Sequence, residues 1–337
     1  MIQNHLLSII IITLNRMNEV VRCVKTILAQ DFKNYEIIII DNNSSDGTSE
    51  KIKKNFPNIR LYKTNKNMGT SYTRNAAINF SKGENILFLD SDAYLEDKRT
   101  LSEMVEKLSG EIHVLGGESI INENNQIIGK KKLELFPNGM IKGYVMNDKN
   151  FNKVEVLATC NLLTKKKYLE DVGGFDHYFF FYLEDLDLTY RMKLKGFNLY
   201  LLDECKVVHY FSSNTRFTNF FKSSRNRIFF LVKNFNIINT LILPINDFLY
   251  FINMNSLRRV YETLFKNRKL ENYRIKKTKK KFSFGNIFYT MNKLFLVFFS
   301  IIFSYVYIPY YLIIRNRIKQ KQNFLSLVDK NDFTKIE

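Results

Sequence analysis

The chain has no tryptophan, and only four prolines and 13 glycines in 337 residues. So few backbone breakers exclude a collagen-like or low-complexity architecture, and no internal repeat is present. Cysteine is equally scarce. Cys23, Cys160 and Cys205 form no CxxC pair, which excludes a zinc ribbon or disulfide scaffold and leaves them as small apolar core residues. Several motifs are missing as well. Without GxxxxGK[ST] there is no P-loop phosphate chemistry, and without GxGxxG after the first strand an ordinary dinucleotide fold is disfavoured. GxSxG and HExxH do not occur. No secretory leader is expected, because the apolar run 8–14 is short and no basic region precedes it.

What is present is globular in character: 45% hydrophobic and 25% charged residues, with 30 Phe and 19 Tyr. Wholesale disorder is excluded, and the length suits one large domain with an appendage. The net charge of +18 is unevenly spread. Residues 1–213 carry 28 Lys/Arg against 27 Asp/Glu, whereas residues 214–337 carry 23 against 6. The basic excess belongs to the second part, and so does any polyanionic partner.

Residues 1–213 alternate strand and helix patterns. Apolar runs at 7–14, 35–40, 59–62 and 86–89 read as buried strands. Helical spacing falls at 18–30, 48–55 and 71–80. This rhythm predicts an α/β fold with a mostly parallel sheet and helices on both faces, and ligands beyond the carboxyl ends of the strands. The polar clusters fall there: Thr13, Asn15 and Arg16; Asp41 to Asp46; Asp90-Ser91-Asp92. Residues 110–165 read as irregular strands and turns, and 165–172 as a short helix. An aromatic loop at 178–182 leads into Glu184-Asp185 and a further helix.

Asp90 and Asp92 sit two residues apart after a buried strand, where they can clamp a hard divalent cation that keeps positions open for phosphate oxygens. The plainer reading is a pair of turn-forming or helix-capping aspartates. Glu184 and Asp185 open a helix, where the dipole keeps a carboxylate ionised and able to take a proton from a hydroxyl. Acids in a first helical turn are also simply good helix design. His209 is either a hydrogen-bonded structural residue or a nitrogen ligand to a metal held by carboxylates. Asp41 either accepts from a nucleobase N–H or forms an Asx-turn.

Taken in order, SIIIITLNR (8–16), IIIIDNNSSDGT (37–48), NMGTSYTRNAAI (67–78), ILFLDSDAYL (86–95), GGFDHYFFFYLEDLDLTYRMKLKGF (173–197) and VVHYFSS (207–213) resemble the family 2 glycosyltransferases. The nearest likeness is to the rhamnosyltransferase-like, cell-surface polysaccharide branch. The resemblance implies the GT-A fold, a nucleotide-diphospho-sugar donor, a divalent cation (Mg²⁺ or Mn²⁺) and an inverting reaction. Residue by residue, it implies donor contacts at Thr13, Asn15, Arg16, Asp41, Asn67, Gly69, Arg74, Asn75 and Asp90. It implies metal ligation at Asp92, Asp90 and His209. Asp185 matches the catalytic base, with Glu184 orienting base or acceptor.

Beyond residue 213 the chain is apolar and basic. Residues 294–314 are 21 positions without a charge, as a helix roughly 31 Å long. Pro309 is expected to kink that helix. Basic clusters flank it at 276–281 and from Arg315 onward, which favours attachment to an anionic cytoplasmic leaflet, in-plane, re-entrant or spanning. Residues 228–252 read as a domain-closing or interfacial helix pair. The expected partners are the sugar donor, a glycan or lipid-linked glycan acceptor and that membrane surface, without nucleic acid. Two rival functions stand beside this one. A sugar-nucleotide nucleotidyltransferase would need a glycine- and lysine-rich triphosphate loop. A nucleic-acid-binding protein would use the basic tail with stacked aromatics.

Overall fold

The computed structural model describes residues 6–117, 119–121, 127–136, 139, 141–146, 152–202, 207–209, 220–241, 243, 302–303, 305–320 and 323–336. The first half runs β1 (Leu7–Thr13), α1 (Met17–Leu28), β2 (Tyr35–Asp41), α2 (Thr48–Asn55), β3 (Arg60–Thr64), α3 (Thr70–Phe80), β4 (Asn85–Leu89), β5 (Ala93–Leu95) and α4 (Thr100–Lys107). Then come β6 (Val114–Gly116), β7 (Ser119–Ile121), β8 (Ile127–Leu135), β9 (Ile141–Met146), β10 (Asn152–Val154), β11 (Asn161–Lys165) and α5 (Lys166–Asp171). The rest is α6 (Glu184–Leu194), β12 (Leu199–Leu201), β13 (Val207–His209), α7 (Phe220–Asn234), α8 (Ile237–Leu241), α9 (Tyr307–Gln320) and β14 (Phe333–Ile336).

Nine strands form the main sheet in the order β10-β12-β6-β11-β4-β1-β2-β3-β14. Its centre, β4-β1-β2-β3, is parallel, and antiparallel pairs join it on both flanks. Strand alternation explains the two cores. Ile9, Ile11, Ile37 and Ile39 face α1 through Val20, Val24 and Ile27. Ile10, Ile38 and Ile40 face the other way, toward Ala76, Ala77 and Ile78 of α3. Both faces of β1 and β2 are therefore apolar, as a doubly covered parallel strand requires. The order reverses at β1, since β2 and β4 lie on its opposite sides, and this makes the crevice at the carboxyl ends of β1 and β4 the natural ligand position.

Three local expectations change. No helix follows Asp92: β5 does, paired with β13, so the helix-cap alternative for the aspartates falls away. The irregular stretch after residue 110 supplies most of a second sheet, β5-β13-β7-β8-β9. Pro309 sits in the first turn of α9, where its missing N–H has no intrahelical partner to lose, and it needs no kink there.

The second part of the chain is not one separate tail. Buried Ile228, Phe229, Phe230 and Leu231 of α7 pack with Phe179 and with Tyr311 of α9. β14 pairs antiparallel with β3, and Phe324 donates its N–H to Gly173 O at 2.7 Å, so residues 323–336 return to the main sheet's domain across the proposed boundary at 213/214. Residues 294–301 lie outside the described set. Among the described residues no helix is long and apolar enough to cross a membrane.

Buried charge fastens α7 to α6. Lys233 Nζ donates to Asp176 Oδ2 and Asp187 Oδ2, both at 2.8 Å, Arg191 Nε reaches Asp187 Oδ2 at 2.8 Å, and Asn234 Nδ2 donates to Asp187 Oδ1 at 2.8 Å. Burial opposes ionisation of Asp187, but Arg191 and Lys233 outweigh it and hold its pKa below the usual value. Removing one partner leaves buried carboxylates uncompensated. Lys233→Met is expected to destabilise the protein by about 3 kcal/mol or more, read from the midpoint of urea unfolding.

Candidate active site

The loops at the carboxyl ends of β1, β2 and β4 are laced together. Asn15 adopts φ +52°, which Asn tolerates better than most residues. Its N–H donates to Ser44 Oγ and its Oδ1 accepts from Ser45 N–H, both at 2.8 Å. Arg16 Nη1 reaches Asp92 Oδ2 at 2.9 Å and so ties the β1 loop to the β4 loop. Asp46 accepts from Met17 and Thr48 backbone N–H groups and from the Thr48 hydroxyl. These bonds outweigh its desolvation and hold its pKa low.

A single guanidinium joins the two acidic motifs. Arg74, on α3 and 6% exposed, donates from Nη2 to Asp90 Oδ1 at 3.1 Å and from Nη1 to Glu184 Oε1 at 2.9 Å. Residues 90 and 184, far apart in sequence, thus lie one side chain apart. Burial alone would weaken the arginine's hold on its proton, but Asp90, Glu184 and Asp185 outweigh this and strengthen it. Thr70 Oγ1 also donates to Glu184 Oε1, at 2.8 Å. Asp185 accepts from Leu186 N–H at 2.8 Å. Burial, then the charge of Glu184, raise its pKa from 3.8 to about 7 against the pull of Arg74. A carboxyl poised there is suited to proton transfer near neutrality.

Several of the expected residues are held by bonds within the chain. Asp41 is fully buried: Ser44 N–H donates to Oδ1 at 2.8 Å and the Ser49 hydroxyl to Oδ2. These bonds shape its own loop as an Asx-turn does. Asn75 is likewise fully buried, and its amide both donates to Phe175 O and accepts from Phe175 N–H at 2.8 Å. It fastens α3 to the loop after α5. Asn67 Oδ1 accepts from Asn42 Nδ2 and Gly69 N–H, ordering the turn into α3. Gly69 has φ +78°, and a Cβ there would lie 2.6 Å from the Phe180 ring and 2.7 Å from its carbonyl. It admits the loop before Glu184 to the head of α3. The backbone of His209 pairs with Ala93, next to Asp92; its side chain lies outside the described set.

One contributor, Asn161, carries no sequence signal. Three buried polar atoms lack a hydrogen-bond partner among the described residues at this edge: Thr13 Oγ1, Glu184 Oε2 and Asn161 Oδ1. Asn161 pairs with Leu89, adjacent to Asp90. Such orphans are costly in a folded chain unless a ligand completes them. The carboxylates of Asp90 and Asp92 are hard oxygen donors that suit Mg²⁺ or Mn²⁺. Among the described residues no three acidic, His or Cys side chains gather as a closed metal cage. The two carboxylates are a donor set whose chemistry fits a hard divalent cation.

This sheet, and acids at its central strand ends, define a GT-A nucleotide-sugar transferase fold. The structure is similar to GalNAc-T7, determined with UDP, GalNAc and Mn²⁺, at a TM-score of 0.56 and 14% identity, covering 68% of this chain and 48% of that one. It is also similar to the mannosyltransferase PcManGT of Pyrobaculum calidifontis, in complex with GDP-Man and Mn²⁺, at a TM-score of 0.52 and 14% identity, covering 94% and 87%. Residues 8–173 match the Glycosyl transferase family 2 model. Over 169 residues the chain is 31% identical to the Escherichia coli UDP-Glc:alpha-D-GlcNAc-diphosphoundecaprenol beta-1,3-glucosyltransferase WfaP, covering 50% of this chain and 62% of that protein. The chain spans about half to three fifths of the length of the curated relatives it matches.

The raised pKa of Asp185 has a stability consequence. The folded state holds this proton more tightly than the unfolded chain, so the group's stabilising contribution is complete below pH 4 and is lost as the pH rises through about 7. Asp185→Asn is expected to raise the melting temperature at pH 8 by a few degrees and to flatten its fall between pH 5 and 8, as followed by thermal denaturation.

Proposed function

We propose that the chain is an inverting glycosyltransferase that moves a sugar from a nucleotide-diphospho-sugar donor to a hydroxyl of a glycan or lipid-linked glycan. The observation that carries this reading is Arg74 bridging Asp90 and Glu184, which sets the donor-side acids beside the acid pair that opens α6. Relatives named as glucosyltransferases of diphosphoundecaprenol-linked acceptors support it. The first donor-side loop, Asn15-Arg16, engages Ser44 and Asp92 and is no triphosphate-binding loop, which disfavours the nucleotidyltransferase.

In this reading Asp185 takes the proton of the acceptor hydroxyl as oxygen attacks the anomeric carbon in line. Glu184, clamped by Thr70 and Arg74, is fixed beside Asp185 and, after burial, raises that residue's proton affinity. Arg16 and Arg74 bring positive charge to the edge where the diphosphate leaves. Asp92 and Asp90, with His209 on the adjacent strand, are the residues that would hold a divalent cation. When bound, it neutralises the charge that develops on the departing diphosphate. One displacement inverts the sugar centre and needs no covalent nucleophile.

We assign the enzyme to the cytoplasmic face of the cell membrane. Residues 214–337 carry the basic excess, and Ile238 and Leu241 of α8, Val306 just before α9 and Ile313 within it are exposed at 57%, 59%, 73% and 82%. Apolar side chains beside Lys and Arg suit an anionic interface.

The reading is tested with a panel of nucleotide-sugar donors, Mg²⁺ or Mn²⁺ titration and assay of nucleoside-diphosphate release. Asp92→Ala and Asp185→Ala should each lower transfer on the order of 10³-fold with circular dichroism unchanged; near-full turnover in both would overturn the assignment. Transfer by the wild-type protein should climb with pH through about 7 as Asp185 ionises. Binding to vesicles of anionic lipid should weaken steeply between about 0.1 and 0.5 M salt, and Ile313→Asp should weaken it further, as measured by co-sedimentation.

A further inference from the structure

The loop that delivers Glu184 and Asp185 is bent against its preferences. Phe180, Tyr182 and Leu183 have φ of +57°, +76° and +68°, and none is glycine. Such a path persists only where its surroundings enforce it. Two elements do so. At the head of α3, Thr70 N–H donates to Phe180 O at 2.8 Å, against a Gly69 that leaves room for the Phe180 ring. From the opposite side comes Asn226 of α7, which is fully buried. Its Nδ2 lies 2.9 Å from Phe179 O, 3.0 Å from Phe181 O and 2.8 Å from Tyr182 O. Three carbonyls of one loop converge on a single amide group. The amide's direction is fixed because Arg225 donates to Asn226 Oδ1 from Nε at 3.1 Å and Nη2 at 2.8 Å, which leaves the NH₂ side for the carbonyls.

We propose that Asn226 is a positioning residue for sugar transfer: by gathering the carbonyls of Phe179, Phe181 and Tyr182 it holds the loop in the one path that sets Asp185 against the acceptor hydroxyl. It touches no reacting atom. It lies outside the segment matched by the family model, 8–173, and is carried by a helix on which α8 and α9 pack. The inference rests on the glycosyl-transfer reading for its catalytic half only, since the clamp itself is a statement about the loop.

The decisive substitution is Asn226→Asp, which keeps the size of the side chain, removes both N–H donors and sets an acceptor against three acceptors. Phe230→Leu, in the same helix but with no bond to the loop, is the matched control for general loosening of α7. Rates are expressed per folded donor-binding site, counted by calorimetric titration with the donor. Asn226→Asp should lower kcat for transfer on the order of 10²-fold, the scale of a misplaced catalytic group, while the donor KM stays within about twofold. Chymotrypsin, which cuts after aromatic residues, should nick the full-length variant at 180–182 about tenfold faster than the wild type, because loop opening is no longer opposed. Phe230→Leu should show neither change. Transfer per site within about threefold of wild type, or an equal loss in Phe230→Leu, would overturn the positioning role. Unchanged nicking would overturn the clamp. A wild-type protein that turns over no donor, yet shows faster nicking in Asn226→Asp, would sink the glycosyltransferase reading and leave the clamp standing.

Discussion

A buried guanidinium between two carboxylates is the constraint on which the site depends. Arg74 has almost no access to water, so its charge must be balanced inside the protein. Asp90 and Glu184 do this, and each is thereby fixed at a stated side of one planar group. The fork geometry matters as much as the charge. A guanidinium presents its nitrogens in fixed directions, so it sets a distance between β4 and α6 that a lysine could not define. The same balance leaves Asp185 without a dedicated cation. Arg74 is shared three ways, and the nearest charge to Asp185 is the like charge of Glu184. Its high proton affinity comes first from burial and then from that like charge, which the shared arginine only partly offsets.

A second buried network, Lys233 with Asp176 and Asp187, repeats this logic one layer away from the chemistry. Buried ion pairs add little net stability compared with apolar packing, but they are intolerant of misalignment. Here the pairs join the loop before the 178–182 aromatics, the helix that begins with Glu184, and α7. Any register shift of α7 along α6 would strand a charge. The register that satisfies Lys233 is also the one that brings Asn226 beneath the strained loop.

The central sheet was legible in the sequence because its strands are near-continuous isoleucine runs broken by polar loops, and such runs have few other ways to be buried. The placement of Asp90, Asp92, Glu184 and Asp185 near one another followed from those loops falling at one edge. Asp41 and Asn75 show where that reasoning stops. Asp41 ends β2 and Asn75 lies on α3, and the direction in which each short polar side chain turns is decided by hydrogen bonds with Ser44, Ser49 and Phe175 that no local pattern encodes. The second sheet was illegible for a related reason: several of its strands are three residues long, too short to show a period. β14 is four residues, also too short to show a period, that pair with the edge of β3 and pack Phe333 and Ile336 against the cores.

That last strand changes how the basic second part should be understood. Charge composition divides the chain near residue 213, yet the backbone crosses the division at least twice, first as α7 and finally as β14. On the far face of α3, Tyr72 accepts from Asp329 N–H at 2.8 Å, donates to Asp332 and stacks on Phe333. The helix that carries Arg74 is therefore braced from outside by residues 323–336. On the other side, the Tyr178 hydroxyl of the aromatic loop meets that of Tyr311 in α9 at 3.1 Å. α9 and residues 323–336, both from the basic second part, are thus hydrogen-bonded to the elements that carry Arg74 and lead into Glu184, so the frame that holds the Arg74 clamp is built from both parts of the chain.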